Sequence, residues 1–192
     1  QFGETTNAYV LSAGWARDTR DDILYPNQGR LQSLLVEVGL PFGDLSYYKA
    51  QYIHQWFWPI WSPFVLMLRG ELGYGDGYAS GFGGKELPFF KAFYGGGVGS
   101  VRGYETSSLG ARDIYGNVLG GKRKIVGNAE LFYPILKGDK SVRASVFADA
   151  GQIYIDGKAD LLYPDSDLQG FRYSAGVGLA WNSPIGPLKF SY

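Results

Sequence analysis

The chain has 192 residues, enough for one domain or two small ones. Eighteen basic residues balance eighteen acidic ones, so the chain lacks the broad attraction to phosphate that nucleic-acid binders use. The 45% hydrophobic content excludes disorder, and the absence of Cys excludes disulfide scaffolds, thiolate nucleophiles and Cys-based metal centres.

Period-two alternation runs along the chain and predicts eight strands, whereas helical 3.6-residue spacing is scarce. In the first strand Tyr9, Leu11, Ala13 and Trp15 share one face, opposite Ser12, Gly14 and Ala16. A weaker candidate covers Arg30 to Gly39. From Ser46 to Trp58, Tyr48, Ala50, Tyr52, Trp56 and Trp58 oppose Lys49, Gln51 and Gln55. Phe64, Leu66, Leu68, Leu72 and Tyr74 then oppose Arg69 and Glu71. In Arg123 to Ile135 the polar face carries Lys124, Asn128 and Glu130; in Ser141 to Tyr154 it carries Arg143, Ser145 and Asp149. Phe171 to Trp181 places Phe171, Tyr173, Ala175, Val177, Leu179 and Trp181 on one side, and Leu188 to Tyr192 is a weak last strand.

The direction of these faces decides the class. The apolar faces begin and end in aromatics, as two interfacial girdles require, and Gly is about 15% of the chain, roughly twice its usual share. The opposite faces mix Gly, Ala and Ser with single charges of both signs, which suits a crowded lumen better than a water-facing surface. The expectation is therefore an all-β, antiparallel transmembrane β-barrel rather than a soluble one. The best apolar run, Phe64 to Leu68, falls far short of the roughly 20 residues of a membrane helix. Gln1 begins no basic, apolar leader, so any signal peptide is expected to have been removed or never present.

Turn residues predict short connections at Pro41–Asp44, Pro59–Ser62, Lys137–Lys140 and Ser183–Gly186. Longer links cover Thr19 to Gly29, Gly75 to Gly121 and Asp156 to Gly170, and the expectation is that short and long alternate between two rims. The central link, about 75–121, is too rich in Phe82, Leu87, Phe89, Phe90, Phe93, Tyr94 and Tyr104 to remain in water. Its natural packing surface is the barrel interior.

The central link also carries recognisable motifs. Gly73-Tyr74-Gly75-Asp76-Gly77, the run Leu87 to Gly97, and Ser100-Val101-Arg102-Gly103-Tyr104-Glu105 resemble the lumen-inserted loop of the Omp85 superfamily. The resemblance continues through Asn128 to Pro134, Phe147-Ala148-Asp149-Ala150-Gly151 and Ala180 to Tyr192, and so spans essentially the whole chain. It implies that Val101, Arg102, Gly103 and Tyr104 form the loop motif, with Arg102 paired to Glu130 and Asp149 on the wall. Alternation independently places Glu130 and Asp149 on the polar face. A planar guanidinium suits two carboxylates, and Gly103 is expected to supply a backbone geometry closed to other residues.

The resemblance further implies a sixteen-stranded barrel preceded by periplasmic POTRA domains. On that basis the eight strands are a single domain, 1–192, that forms part of such a barrel, without the POTRA domains or the closing strand. The implied function is outer-membrane protein assembly in the Gram-negative outer membrane, by strand templating at the barrel seam. The implied partners are the lipid bilayer, unfolded outer-membrane clients and other assembly subunits, with no nucleic acid. Two alternatives are a secretion translocator of the two-partner or TamA type and a non-catalytic eight-stranded barrel closed on itself.

No enzyme, cofactor or metal site is expected. His54, the one His, falls on an apolar face between Tyr52 and Trp56 and is read as interfacial. Gly116 to Lys122 resembles a phosphate loop, but Arg123 replaces the required Ser or Thr and a strand follows. Asp165 to Gly170 resembles a calcium loop but has Gln169 at its fifth position and Gly176 where a bidentate Glu belongs. Arg17, Asp18, Arg20, Asp21 and Asp22 are expected to form a polar rim.

Overall fold

A computed structural model describes residues 7–78, 87–113, 115–136, 139–155, 170–183 and 186–192, with backbone alone at 136, 139, 140 and 182. Phe82 and the calcium-like positions Asp165 to Gln169 lie outside the described residues. The strands are β1 (Val10–Asp18), β2 (Gly29–Gly39), β3 (Tyr47–Trp61), β4 (Phe64–Gly77), β5 (Arg123–Leu136), β6 (Asp139–Tyr154), β7 (Arg172–Ser183) and β8 (Gly186–Ser191). They form one antiparallel sheet in chain order, as alternation predicted. Among the described residues β1 and β8 each pair with a single neighbour, so the sheet does not close on itself.

Register sorts the side chains into two chemically distinct surfaces. Trp58, Leu66, Leu131, Val146 and Val177 are successive partners across β3–β7 and make an apolar row. Gln55, Arg69, Asn128, Asp149 and Ser174 form a polar row on the other face. A slip of one residue in any strand would exchange these sets, so the alternation itself fixes the register. Tyr173 (70%) and Val177 (54%) are exposed on the apolar surface, whereas Glu130 (1%) and Asp149 (2%) are buried on the polar one. Burial of charge and exposure of aliphatics is the arrangement of a membrane barrel wall.

Aromatic girdles flank the apolar surface. Trp56 stacks on Trp58, and Trp61, Phe64 and Tyr133 form a chain of ring contacts at 5.3 Å, all near the β3–β4 turn. At the other end Tyr48 meets Tyr74, and Tyr154, Phe171 and Tyr173 follow one another. Ten residues of strand separate Tyr48 from Trp58, a rise of about 34 Å along the strand. At a barrel tilt of about 40° this leaves about 26 Å along the membrane normal, close to the height of an outer-membrane apolar band. His54 lies on the same strand face, two residues from Trp56 of the first girdle. Its Nδ1 lies 3.3 Å from the Gln32 amide nitrogen and 3.2 Å from the Tyr52 hydroxyl, so its polarity is met within the sheet.

Among the described residues the polar face holds three small apolar clusters in place of one continuous core. Phe93, Val101, Leu109, Val126 and Ile153 join the central loop to β5 and β6. Leu45, Tyr47 and Leu87 pack together near one rim, and Phe57, Val65 and Met67 near the other. Lys189 of β8 reaches Glu130 of β5, and the segment after β1 reaches β6. A flat sheet would hold these elements about 14 to 19 Å apart, so the sheet curls around its polar face.

The connections depart from strict alternation of length. Successive connections change rim, so the ten residues between β1 and β2 lie at the rim of the short β3–β4, β5–β6 and β7–β8 turns. The short Pro41–Asp44 turn belongs to the rim of the long β4–β5 and β6–β7 links. Length alone misplaced them because the segment 19–28 is not a simple turn but folds inward. Asp18 binds Arg20 there, with Arg20 Nη2 2.7 Å from the carboxylate. Asp21 accepts from the backbone N–H groups of Asn27 and Gln28, and Asp22 from those of Leu24 and Tyr25.

Two outcomes test this arrangement. Val177→Arg, at mid-height on the apolar surface, should destabilise folding by about 2–4 kcal/mol, measured by denaturant titration of lipid-embedded protein. Burial raises the Asp21 carboxyl, but the Asn27 and Gln28 donors outweigh it, and the Tyr25 and Leu24 N–H groups lower Asp22. Both carboxyls thus sit below their ordinary value, so their contribution is present above the unfolded-state pKa and lost as pH falls through the folded one. Pepsin cleavage within 19–28, normalised to cleavage of an unfolded peptide at the same pH, should therefore rise as the pH falls below about 4.

Candidate functional site

The described part of the β4–β5 connection, 87–113 and 115–122, is folded back on itself. Backbone bonds join Phe93 to Gly121 in both directions, the Leu109 N–H to Gly95, and the Leu119 N–H to Ala111. The Ser100 N–H donates to Gly97 and the Gly97 N–H to Val101, which tightens the turn that carries the motif. The Asn117 amide and backbone N–H groups of the same turn hold Asp113 below its ordinary pKa at the loop tip.

Val101 anchors the motif. Its side chain is fully buried among Phe93, Leu109, Val126 and Ile153, with Tyr104 packed beside them. Burying a Val contributes roughly 1.5–3 kcal/mol, and it draws the next residue against the wall. Gly103 has φ +83°, a conformation that L side chains rarely adopt, while only Ser174 lies near its vacant side-chain position. Its requirement is thus one of backbone conformation and not of space. The Tyr104 hydroxyl donates to the Tyr173 carbonyl at 3.2 Å.

Arg102 lies between these residues with 4% of its side chain exposed. Its Nε and Nη2 donate to the two oxygens of Asp149 at 2.7 and 2.8 Å, and Nη1 donates to Glu130 at 2.9 Å. The Arg102 backbone N–H adds a 3.1 Å bond to Asp149. The guanidinium carbon stands 3.6 Å from the Phe147 ring centroid, so the ring supports the face of the fork. The structure thus brings together Arg102, Glu130 and Asp149.

Several participants have only weak signals in the sequence. Glu130 also accepts from the Ser145 hydroxyl at 2.6 Å and from Lys189 at 3.1 Å, so two cations and two carboxylates balance at this centre. Asn128 donates to the Ser100 carbonyl at 2.6 Å and accepts from Arg69, which also binds Glu71. Gln51 and Lys124 complete the bonds to Glu71. Further toward the rim, Lys91 of the loop binds Glu37 at 2.6 Å, and that carboxylate raises the lysine above its ordinary pKa against the cost of burial. Lys49 donates to the Lys91 carbonyl and stands over the Phe93 ring, and Tyr47 donates to Glu37. All these wall residues occupy polar-face positions, but alternation gives only their side of the sheet and not their mutual distances.

Among the described residues no group of three or more His, Cys, Asp or Glu is arranged to hold a metal ion. Chemically, the assembly is a set of ion pairs whose centre, Arg102 with Glu130 and Asp149, is closed off from water. It can hold a loop in one position against a wall.

A curled sheet with lipid-facing aliphatics and a loop locked into its polar face by arginine defines an integral outer-membrane β-barrel wall. The chain belongs to the Omp85 superfamily, whose domain matches residues 3–192. It is 40% identical, over 96% of its length, to the outer membrane protein assembly factor BamA of Neisseria meningitidis serogroup B, covering 26% of that protein. The corresponding factor of Nitratidesulfovibrio vulgaris is 30% identical over 95% of the chain and is covered to 22%. A crystal structure of BamA from Haemophilus ducreyi lacking POTRA domains 1-3 matches with a TM-score of 0.84 and 32% identity, over 95% of this chain and 38% of that one. The chain therefore spans about a quarter of the curated relatives' length, and its location is the bacterial outer membrane.

The unequal bonding at the arginine gives a testable order. Asp149 receives two side-chain bonds and a backbone bond, whereas Glu130 keeps Lys189 and Ser145 when the arginine is lost. Asp149→Asn should therefore cost more than Glu130→Gln, with a loss of about 3–5 kcal/mol for the former. Arg102→Lys should fail to restore stability because an ammonium cannot match the fork. Denaturant unfolding in detergent, with a double-mutant cycle through Arg102→Ala, measures both.

Proposed function

We propose that the full-length protein folds outer-membrane β-barrel proteins and inserts them into the outer membrane, by templating strands at its own barrel seam. The observation that carries this reading is the extensive likeness to BamA relatives together with the loop lock at Arg102. The named activity of those relatives is outer membrane protein assembly. Unfolded outer-membrane proteins are the clients, the bilayer is the product environment, and other assembly subunits are the partners.

Templating has a physical basis in unpaired strand edges, whose N–H and C=O groups can bind an incoming strand. A wall that opens at such an edge must stay rigid elsewhere. The loop lock supplies that rigidity by fixing β5 and β6 to the loop from inside, so that opening is confined to the seam. In this reading Val101 and Gly103 set the position of Arg102, and Glu130 and Asp149 receive it. No bond is made or broken, so the protein acts as a folding template and not as an enzyme.

Client folding into proteoliposomes tests the proposal. The full-length protein should accelerate folding of an unfolded outer-membrane barrel, and Asp149→Asn should reduce the rate by about tenfold or more if the lock supplies about 1.4 kcal/mol or more to the active state. The 192-residue chain alone should give no comparable acceleration. Equal rates for full-length protein and protein-free liposomes would overturn the assembly reading. Equal rates for the parent and a folded Asp149→Asn protein would remove the loop lock from it.

A further inference from the structure

A second buried arginine lies on the same face of β6, at the other end of the wall, and the loop lock does not use it. Arg143 is 4% exposed. Its guanidinium donates to the Tyr25 carbonyl at 2.9 Å, the Pro26 carbonyl at 3.2 Å and the Asn27 side-chain oxygen at 3.2 Å. It also stands 4.9 Å from the Tyr25 ring centroid. These partners are 116 to 118 residues away in sequence, in the connection between β1 and β2.

The grip differs in kind from that at Arg102. The hydrogen-bond partners of the guanidinium are neutral oxygens, so these bonds read the shape of the segment, while the Asp21 and Asp22 carboxylates add charge attraction at longer range. Such a contact forms only if the segment already presents its carbonyls inward. Local chemistry ensures this: the carboxylates of Asp21 and Asp22 cap the N–H groups of residues 24, 25, 27 and 28, and the Thr19 N–H donates to the Arg30 carbonyl. Leaving a buried guanidinium without these acceptors would be costly, so the segment and the wall hold each other.

The segment also crosses the mouth of the curled sheet. Leu24 and Tyr25 face β3, β4, β5 and β8 across a cavity of about 230 Å³ lined by Phe57, Met67, Phe132 and Lys189. Asn27 borders a second cavity with Trp61, Pro63 and Pro134 of the β3–β4 and β5–β6 rim. Arg143 and Asp149 are six residues apart on β6, about 20 Å along the strand. The central loop enters from one rim and residues 19–28 from the other, and both are fastened to the same strand.

We infer that residues 19–28 are a second plug, closing the barrel at the rim of the short turns, and that Arg143 is the positioning residue that keeps it closed. The inference is independent of the assembly reading, because its readout is ionic current and not client folding. The full-length protein, reconstituted in planar bilayers, should show rare openings. Arg143→Ala should increase open probability or conductance several-fold, with millimolar guanidinium in the bath partly reversing the effect. Replacing residues 21–27 by Gly and Ser with Arg143 intact should open the barrel similarly. Folding of each variant is read from its heat-modifiable migration in gels. Parental current through either folded variant would overturn the inference. Failure of both variants to fold would do so too, since the segment would then be a folding element and not a plug.

Discussion

The structure depends on a charge constraint inside the wall. Glu130 and Asp149 project from adjacent strands into a space closed to water, and neither strand can turn them outward without putting them in lipid. They need a cation delivered from elsewhere in the chain. Arg102 delivers it on a loop that is itself too apolar to remain in solvent, and Val101 fixes the depth at which it arrives. Loop and wall are consequently interdependent: the loop without the wall buries an arginine without partners, and the wall without the loop buries carboxylates without partners. The lipid-facing surface adds no such specificity, because its aliphatic side chains are interchangeable in a way that a two-oxygen fork is not.

Space inside the curl is managed by small residues as much as by charged ones. Gly178 leaves the volume that a side chain would take from the Ser145 hydroxyl, the group that donates to Glu130. Gly73 likewise admits the Phe93 ring against β4, and Gly151 admits Val101 against β6. The high glycine content thus has a packing meaning. Where the loop must lie flat on the wall, the facing strand positions lose their side chains.

Family membership and the internal lock fit one another. In this chain the side chains that fix the loop are all on the hidden face. The central loop and the segment 19–28 meet that face from opposite rims, with β6 as their common support. This strand carries Arg143, Ser145, Phe147 and Asp149 on successive polar-face positions, so a single strand offers acceptors to one plug and donors to the other.

Alternation made the eight strands, the direction of their faces and the class of barrel legible, because a period of two survives in any antiparallel wall that separates lipid from a polar interior. Motif resemblance drew attention to Arg102, Glu130 and Asp149, and their side of the sheet followed from parity alone. Connection length misled at 19–28 and at Pro41–Asp44, since length does not distinguish a turn from a segment folded inward. The bonds of Lys189 to Glu130, of Lys91 to Glu37 and of Arg143 to residues 25–27 were not legible. Each joins residues whose proximity is set by the curl of the sheet. The sequence by itself determined which side of the wall every residue faces; only the tertiary structure decided which of the inward charges meet, because curvature and loop insertion fix distances that a one-dimensional repeat does not contain.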